Sequence, residues 1–161
     1  MTSQAVIFRD ARRTDVPQIV ALLADDVLGA SREAGAGPDG ELAGAYLAAF
    51  ERVEASPDNR IIVAEAGGQV VGTLQLTIIP GLSRQGVTRA QVESVRVAGT
   101  QRGQGLGHEL IGWAVAEARR AGCGLVQLTS DKQRPGAIRF YESLGFTATH
   151  EGLKLPLERS R

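Results

Sequence analysis

Residues 95–107 read Val-Arg-Val-Ala-Gly-Thr-Gln-Arg-Gly-Gln-Gly-Leu-Gly. A strand runs into a loop with alternate glycines, and the loop opens a helix. Glycines let backbone N–H groups crowd around an anion, and a helix start adds unpaired donors and a partial positive charge. Arg102 adds a cation, so the segment suits a pyrophosphate. Several readings of it compete. A dinucleotide fold needs G-x-G-x-x-G after the first strand of a βαβ unit. The spacing here is G-x-G-x-G after a hairpin, with His108 at the last required position. A P-loop needs G-K-[ST], which is missing. A glycine-rich turn with no ligand stays open.

The rest of the chain frames that loop. Ala5–Arg9 reads as an edge strand. Thr14-Asp15 before Pro17 signals a helix start, followed by Ile19, Val20, Leu22 and Leu23 at helical spacing. Residues 29–40 hold four glycines and Pro38 and read as a mobile loop. Residues 41–55 read as a second helix. Arg60–Ala66 and Val70–Ile79 flank Gly67-Gly68 as a hairpin, and Arg89–Val97 follows as a third strand in the run. Gly105–Ala121 is a long helix, Leu125–Thr129 a short strand, and Pro135 opens a helix closed by Gly145. Residues 146–150 and 153–157 read as final strands. The expectation is an α/β (α+β) fold in a single domain, residues 1–161. Its mixed, mostly antiparallel sheet has about six to seven strands and about four flanking helices.

Composition narrows the function. At 161 residues with 43% apolar and 22% charged content, the chain is long enough for a core and is not of disordered type. No apolar run approaches the ~18 residues of a membrane span, and the N-terminus lacks a signal-peptide stretch, which implies a cytoplasmic protein. One cysteine, Cys123, and two histidines, His108 and His150, argue against a disulfide or a metal site. No basic run interleaves with aromatics, which disfavours nucleic acid. The net charge is zero but uneven. Residues 25–65 hold nine acids against three bases (−6), and residues 82–161 hold twelve bases against seven acids (+5). That split suggests one cationic and one anionic partner, with solvated helix faces as the bland alternative.

A second motif lies downstream: Arg134-Pro135-Gly136-Ala137-Ile138-Arg139-Phe140-Tyr141-Glu142-Ser143-Leu144-Gly145-Phe146. Ala137 and Tyr141 share one helix face. Alone, Tyr141 reads as a packed aromatic. Together the two motifs resemble the GNAT superfamily of acyl-CoA-dependent N-acyltransferases. Arg102, Gly105 and Gly107 match its R/Q-x-x-G-x-G/A signature. Ala137, Phe140, Tyr141, Gly145 and Phe146 match its N-x-x-A-x-x-F-Y-x-x-x-G-F segment. Element order also matches, from Val6 to about Leu157. Arg134 departs from the pattern, standing where the family often has asparagine.

The resemblance implies a sheet splayed into a V with acetyl-CoA in the wedge. The pyrophosphate would sit on the N–H groups of Arg102, Gly103, Gln104, Gly105, Leu106 and Gly107, with His108, Ala137 and Phe140 close to the cofactor. The pantetheine arm would pair with the backbone of Val95, Arg96 and Val97, and an N–H near Val95 would polarise the thioester carbonyl. Tyr141 matches the family tyrosine near the cofactor sulfur. A tyrosine hydroxyl, with an ordinary pKa of about 10, is a protonated donor at neutral pH, which suits a general acid.

Glu93 is the first choice of general base. Strand alternation places it on one sheet face with Val95 and Val97; an exposed glutamate paired to Arg84, Arg89 or Arg96 is the alternative, with ordered water as the base. Glu65 is a second candidate. His108 and His150 are candidates by pKa, with His108 better read as a cofactor contact or a merely solvated residue and His150 as a residue of the sheet edge. Cys123 lies at a helix-to-strand turn with no nearby histidine and reads as structural, so direct transfer in a ternary complex is preferred to an acetyl-enzyme. Trp113 reads as core or interface.

The expected reaction moves acetyl from acetyl-CoA to a primary amine of a small molecule, a cationic one if the acidic stretch faces it. A peptide N-terminus or lysine is the alternative acceptor. A non-catalytic coenzyme A sensor and an ATP- or NAD-binding domain are the competing classes. A homodimer is common in similar proteins. No metal, nucleic acid or membrane partner is expected.

Overall fold

The computed structural model describes residues 5–34 and 43–157. The chain divides into two compact units, one ending at Leu128 and one beginning at Thr129.

In the first unit, β1 (Ile7–Asp10), β2 (Asn59–Ala66), β3 (Gln69–Ile79), β4 (Arg89–Val97) and β5 (Leu125–Leu128) form one sheet in the order β1-β2-β3-β4-β5. The first three pairings are antiparallel and β4–β5 is parallel. β5 lies beside β4 only from Arg89 to Val92, so Glu93–Val97 continue with no β5 partner.

One sheet face takes the N-terminal helices. α1 (Val16–Ala24) starts with Pro17 in its first turn, where a missing N–H costs nothing. Its apolar stripe divides between two partners. Ile19 and Leu22 pack on Val63 and Val70. Val16 and Val20 pack with Phe50 of α3 (Ala43–Glu54). The other face takes α5 (Leu106–Arg120), which buries Leu106, Leu110, Ile111, Ala114 and Ala118 along one helical stripe. Ala64 and Val71 receive Leu106 there.

Asp15 fixes the start of α1. Its carboxylate accepts from the Arg12 amide at 2.7 Å and from Arg9 Nη1 at 2.7 Å, and Arg9 Nε reaches Glu65 at 2.7 Å. The Arg9 bond, ahead of the opposing cost of burial, holds the Asp15 carboxyl below its ordinary value of 3.8. Asp15→Asn removes this charge-assisted contact and should cost roughly 1–3 kcal/mol. Because the folded pKa is depressed, that stability is present above about pH 4 and is lost as pH falls through the folded value. Urea unfolding of both proteins from pH 7 to pH 3 should show their stabilities converge in acid; a constant gap contradicts the assignment.

Two expectations about the helices need correction. Residues 29–40 are not wholly a loop: α2 (Val27–Arg32) forms at their start, with the Gly29 amide donating to the Asp26 carboxylate as its cap. Gly29 is buried, and a Cβ there would lie 2.1 Å from the Leu23 carbonyl oxygen, so this glycine serves close packing. Residues 35–42, including the rest of that loop and the start of the second predicted helix, lie outside the described residues. Among the described residues the α-helices number six rather than about four, because α2 and the single-turn α4 (Ser83–Gly86) join the expected ones.

The second unit contains α6 (Pro135–Ser143) and an irregular C-terminal segment. Among the described residues the strands number five, and 146–150 and 153–157 form none. The alternation of Leu153, Leu155 and Leu157 satisfies the sequence pattern, but these side chains are 82–93% exposed. A strand also needs a neighbour for its backbone groups, and Pro156 removes a donor. His150 is accordingly an exposed residue beside Thr149 Oγ1 (2.7 Å) and not a sheet-edge residue.

Candidate active site

The site begins with an irregularity in β4. Thr73 of β3 lies opposite Arg96, yet Gln75 lies opposite Glu93, so β4 carries one extra residue. Ser94 absorbs it at φ 54°, a left-handed conformation that few non-glycine residues adopt. The extra residue of a bulge drops out of the ladder. Backbone strain of this kind persists only where surrounding structure holds it, and functional sites are where it collects.

The bulge overturns one expectation. Glu93 does not share a face with Val97. Val97 lies opposite Gly72 and packs with Ala64, Val71 and Leu106 on the α5 side. Glu93 shares the opposite face with Arg96, because three residues now separate side chains that strict alternation would have put on different sides. Glu93 is exposed, so a carboxylate is presented on the α1 side of the strand at the bulge.

Beyond Val97 the chain makes a short 3₁₀ turn (Gly99–Gln101) and enters the glycine loop. The Gln101 amide donates to Ala98 O and the Arg102 amide to Gly99 O, and the next backbone bonds are from His108 and Glu109, both to Gly105 O. Among the described residues, the amides of Gly103, Gln104, Gly105, Leu106 and Gly107 have no acceptor. Gly103 and Gly105 stand at φ 76° and 89°, and Gly105 is the N-cap of α5 with no side chain to cap it. The result is five consecutive donors at the positive end of a fifteen-residue helix.

Arg102 is held by the protein. Its Nη2 donates to Asp25 Oδ2 at 2.9 Å and to Asp25 O at 3.0 Å, and its Nε donates to Val97 O at 3.1 Å. It ties the loop to the C-terminus of α1 and to the end of β4. Asp25 was missed in the sequence because its partner lies 77 residues away. Asp26, the α2 cap, lies 3.9 Å from Arg96 Nε. Other acids of the 25–65 stretch also have protein partners: Glu33 accepts from Tyr46, Glu51 pairs with Arg13 and Glu65 with Arg9. Five of the nine acids of the stretch thus have partners within the protein, and Glu65 is engaged as an ion-pair partner.

The other candidates occupy ordinary places. His108 is exposed in the first turn of α5. Cys123 is half-buried, and burial pushes its thiol up, away from the thiolate form. Trp113 sits 6.5 Å from Phe8 between ring centroids, with the Arg60 guanidinium 5.3 Å above it. Among the described residues no group of three or more His, Cys, Asp or Glu could hold a metal ion, and no helix is long and apolar enough to cross a membrane.

In the second unit, Arg134 caps α6 through its backbone: its carbonyl accepts from the Ala137 amide at 3.0 Å, and no side-chain cap forms. Ala137 and Phe140 lie on this helix, as does Tyr141, whose half-buried ring meets Phe140 and Phe146 edge-on at 5.1 and 5.9 Å. The Phe146 amide donates back to Tyr141 O at 3.1 Å, closing the helix at Gly145.

Comparison with known proteins agrees with this architecture. The crystal structure of a transcriptional regulator from Bacillus halodurans C-125 superposes with a TM-score of 0.88 at 46% identity, covering 95% of this chain and 100% of that one. Glucosamine 6-phosphate N-acetyltransferase of Trypanosoma brucei brucei is 34% identical over 98 residues, 61% of this chain and 65% of that protein. Aminoalkylphosphonate N-acetyltransferase of Salmonella typhimurium is 32% identical over 58% of this chain and 60% of its own length. The chain thus spans less than two thirds of the curated relatives it matches. Residues 25–146 match the acetyltransferase (GNAT) family, a stretch that runs from Asp25 through the bulge and the amide loop to Phe146, and the chain belongs to that family.

Proposed function

We propose that this protein transfers an acetyl group from acetyl-CoA to the primary amine of a small polar molecule, by direct attack within a ternary complex, as one acetyltransferase domain over residues 1–161. The five unpaired amides from Gly103 to Gly107 carry the proposal. A pyrophosphate supplies the acceptor oxygens that such a row requires, at the helix end where negative charge is favoured. Val95, Arg96 and Val97 would offer backbone to the pantetheine arm, since that part of β4 has no β5 neighbour. An amide released by the bulge would meet the thioester oxygen as negative charge develops on it.

In the reaction the amine nitrogen bonds to the carbonyl carbon and the C–S bond breaks. The substrate ammonium first loses a proton, to Glu93 directly or through water. The departing thiolate gains one from Tyr141, the role its motif position implies. Family relatives named for glucosamine 6-phosphate and aminoalkylphosphonate support a small polar amine as acceptor, with a peptide N-terminus or lysine as the alternative.

Acetyl-CoA at about a hundred times its Kd should stabilise the fold by about 2.7 kcal/mol, and NAD and ATP should not. Thiol release against a panel of amines then tests transfer. Glu93→Gln should lower kcat by about 10²-fold or more and keep acetyl-CoA affinity; full activity across the pH range removes Glu93 from the mechanism. A second reading, a coenzyme A-binding sensor, is favoured by the 46% identity to a transcriptional regulator. It predicts acetyl-CoA binding with no thiol release from any amine.

A further inference from the structure

The sheet register aligns polar side chains across four strands on the face that carries Glu93. Asn59 lies opposite Thr77, Thr77 opposite Gln91, and Gln91 opposite Gln127. One row further along, Gln75 lies opposite Glu93. Directly opposed residues share a face. On the other face of the same strands, Ile62, Leu74, Leu76, Ala90 and Val92 are 0–2% exposed. The polar row is half-buried, and none of its side-chain nitrogens or oxygens is buried without a partner, so its free ends remain open to a ligand.

Internal bonds hold the row in place. Thr77 Oγ1 donates to Asn59 Oδ1 at 2.7 Å, Gln75 Nε2 donates to the same oxygen at 3.3 Å, and Gln127 Nε2 donates to Gln91 Oε1 at 2.7 Å. These bonds use one end of each glutamine. Gln75 and Gln127 keep a carbonyl oxygen and Gln91 keeps an amide NH₂, and no protein partner meets them among the described residues. In the adjoining row, Arg89 Nε is buried with no hydrogen-bond partner. The face therefore presents fixed donors and acceptors side by side.

We infer that Gln75, Gln91 and Gln127 recognise the acceptor, and that they select an amine carrying several hydroxyl groups, an amino sugar or aminopolyol, over an apolar amine of the same size. The inference rests on the acetyl-transfer reading above. A hydroxyl both donates and accepts, so it satisfies either end of a carboxamide. An apolar acceptor would cover the same groups and leave them unpaired, which is the costly outcome. The scale also fits. Gln91 lies two residues from Glu93, about 7 Å along the strand, and Gln127 lies one strand over, about 4.8 Å away. A six-membered ring with its amine at Glu93 reaches both.

The test compares D-glucosamine with cyclohexylamine as acceptors for the wild type and for Gln91→Leu, with acetyl-CoA affinity measured on each. The ratio of kcat/KM for glucosamine over cyclohexylamine should fall at least tenfold in the variant, and using the ratio removes the difference in amine basicity. Gln127→Met, which keeps side-chain length, is the second variant should the first not fold, and the same ratio decides. An unchanged ratio overturns the inference, as does a wild type that binds acetyl-CoA and makes no N-acetylglucosamine; in both cases donor binding leaves the transfer reading standing. A wild type that binds no acetyl-CoA defeats that reading itself, and the inference with it.

Discussion

Tyr141→Phe should lower kcat by about 10²-fold or more while acetyl-CoA binds as before. The substitution removes the phenol hydroxyl and keeps the ring. The edge-on contacts of the ring with Phe140 and Phe146 are made by carbon, so phenylalanine keeps them. The bond from the Phe146 amide goes to the backbone carbonyl of residue 141, which does not change. A thermal melt of the same variant separates any change in stability from the loss of turnover. The lost proton matters because an expelled thiolate is otherwise free to return and re-form the thioester. Isothermal titration with acetyl-CoA and steady-state thiol release on the same preparation separate the two effects. Wild-type turnover in the variant would return Tyr141 to the packing role that its sequence position alone suggests.

Gly105→Val should weaken acetyl-CoA binding by at least tenfold and leave the protein folded. Nothing lies within 4 Å of a Cβ at this position, so the side chain has room. The difficulty is the backbone. At φ 89° a left-handed conformation costs an L-residue roughly 1–2 kcal/mol, and a β-branched residue is a clear outlier there. The chain relieves this by rotating residue 105, which turns the amides of Gly105 and Leu106 out of the row. The core of α5, from Leu106 to Ala118, packs by its apolar stripe, so the strain falls on the first turn, where His108 and Glu109 donate to Gly105 O. The diagnostic pattern is a lower affinity for coenzyme A in a protein that still unfolds cooperatively, its urea stability lowered by no more than about 1–2 kcal/mol. If affinity for desulfo-coenzyme A and acetyl-CoA stays at wild-type values, the amide row is not the phosphate site.

Much of this was legible along the chain because it depends on neighbours in sequence. The hairpin over residues 59–79, the strand at Arg89–Val97, the long helix and the helix opened at Pro135 follow from periodicity and from where glycine and proline stand. The glycine loop was legible for the same reason: its donors lie within five consecutive residues. What failed depended on partners. The alternation at 153–157 is the pattern of a strand, yet a strand exists only when another strand takes its hydrogen bonds.

The order of elements, the anion-seeking loop and the family motifs were determined by the sequence itself, since local conformational preference and fixed short spacings encode them. Tertiary structure alone decided which face Glu93 occupies, because one extra residue at Ser94 reverses every side chain beyond it and no side-chain type announces the shift. It also decided that Asp25 holds Arg102 and that Asn59, Thr77, Gln91 and Gln127 form one row. Those residues are far apart in the chain, and only the pairing of strands and the docking of α1 bring their hydrogen-bonding groups within reach.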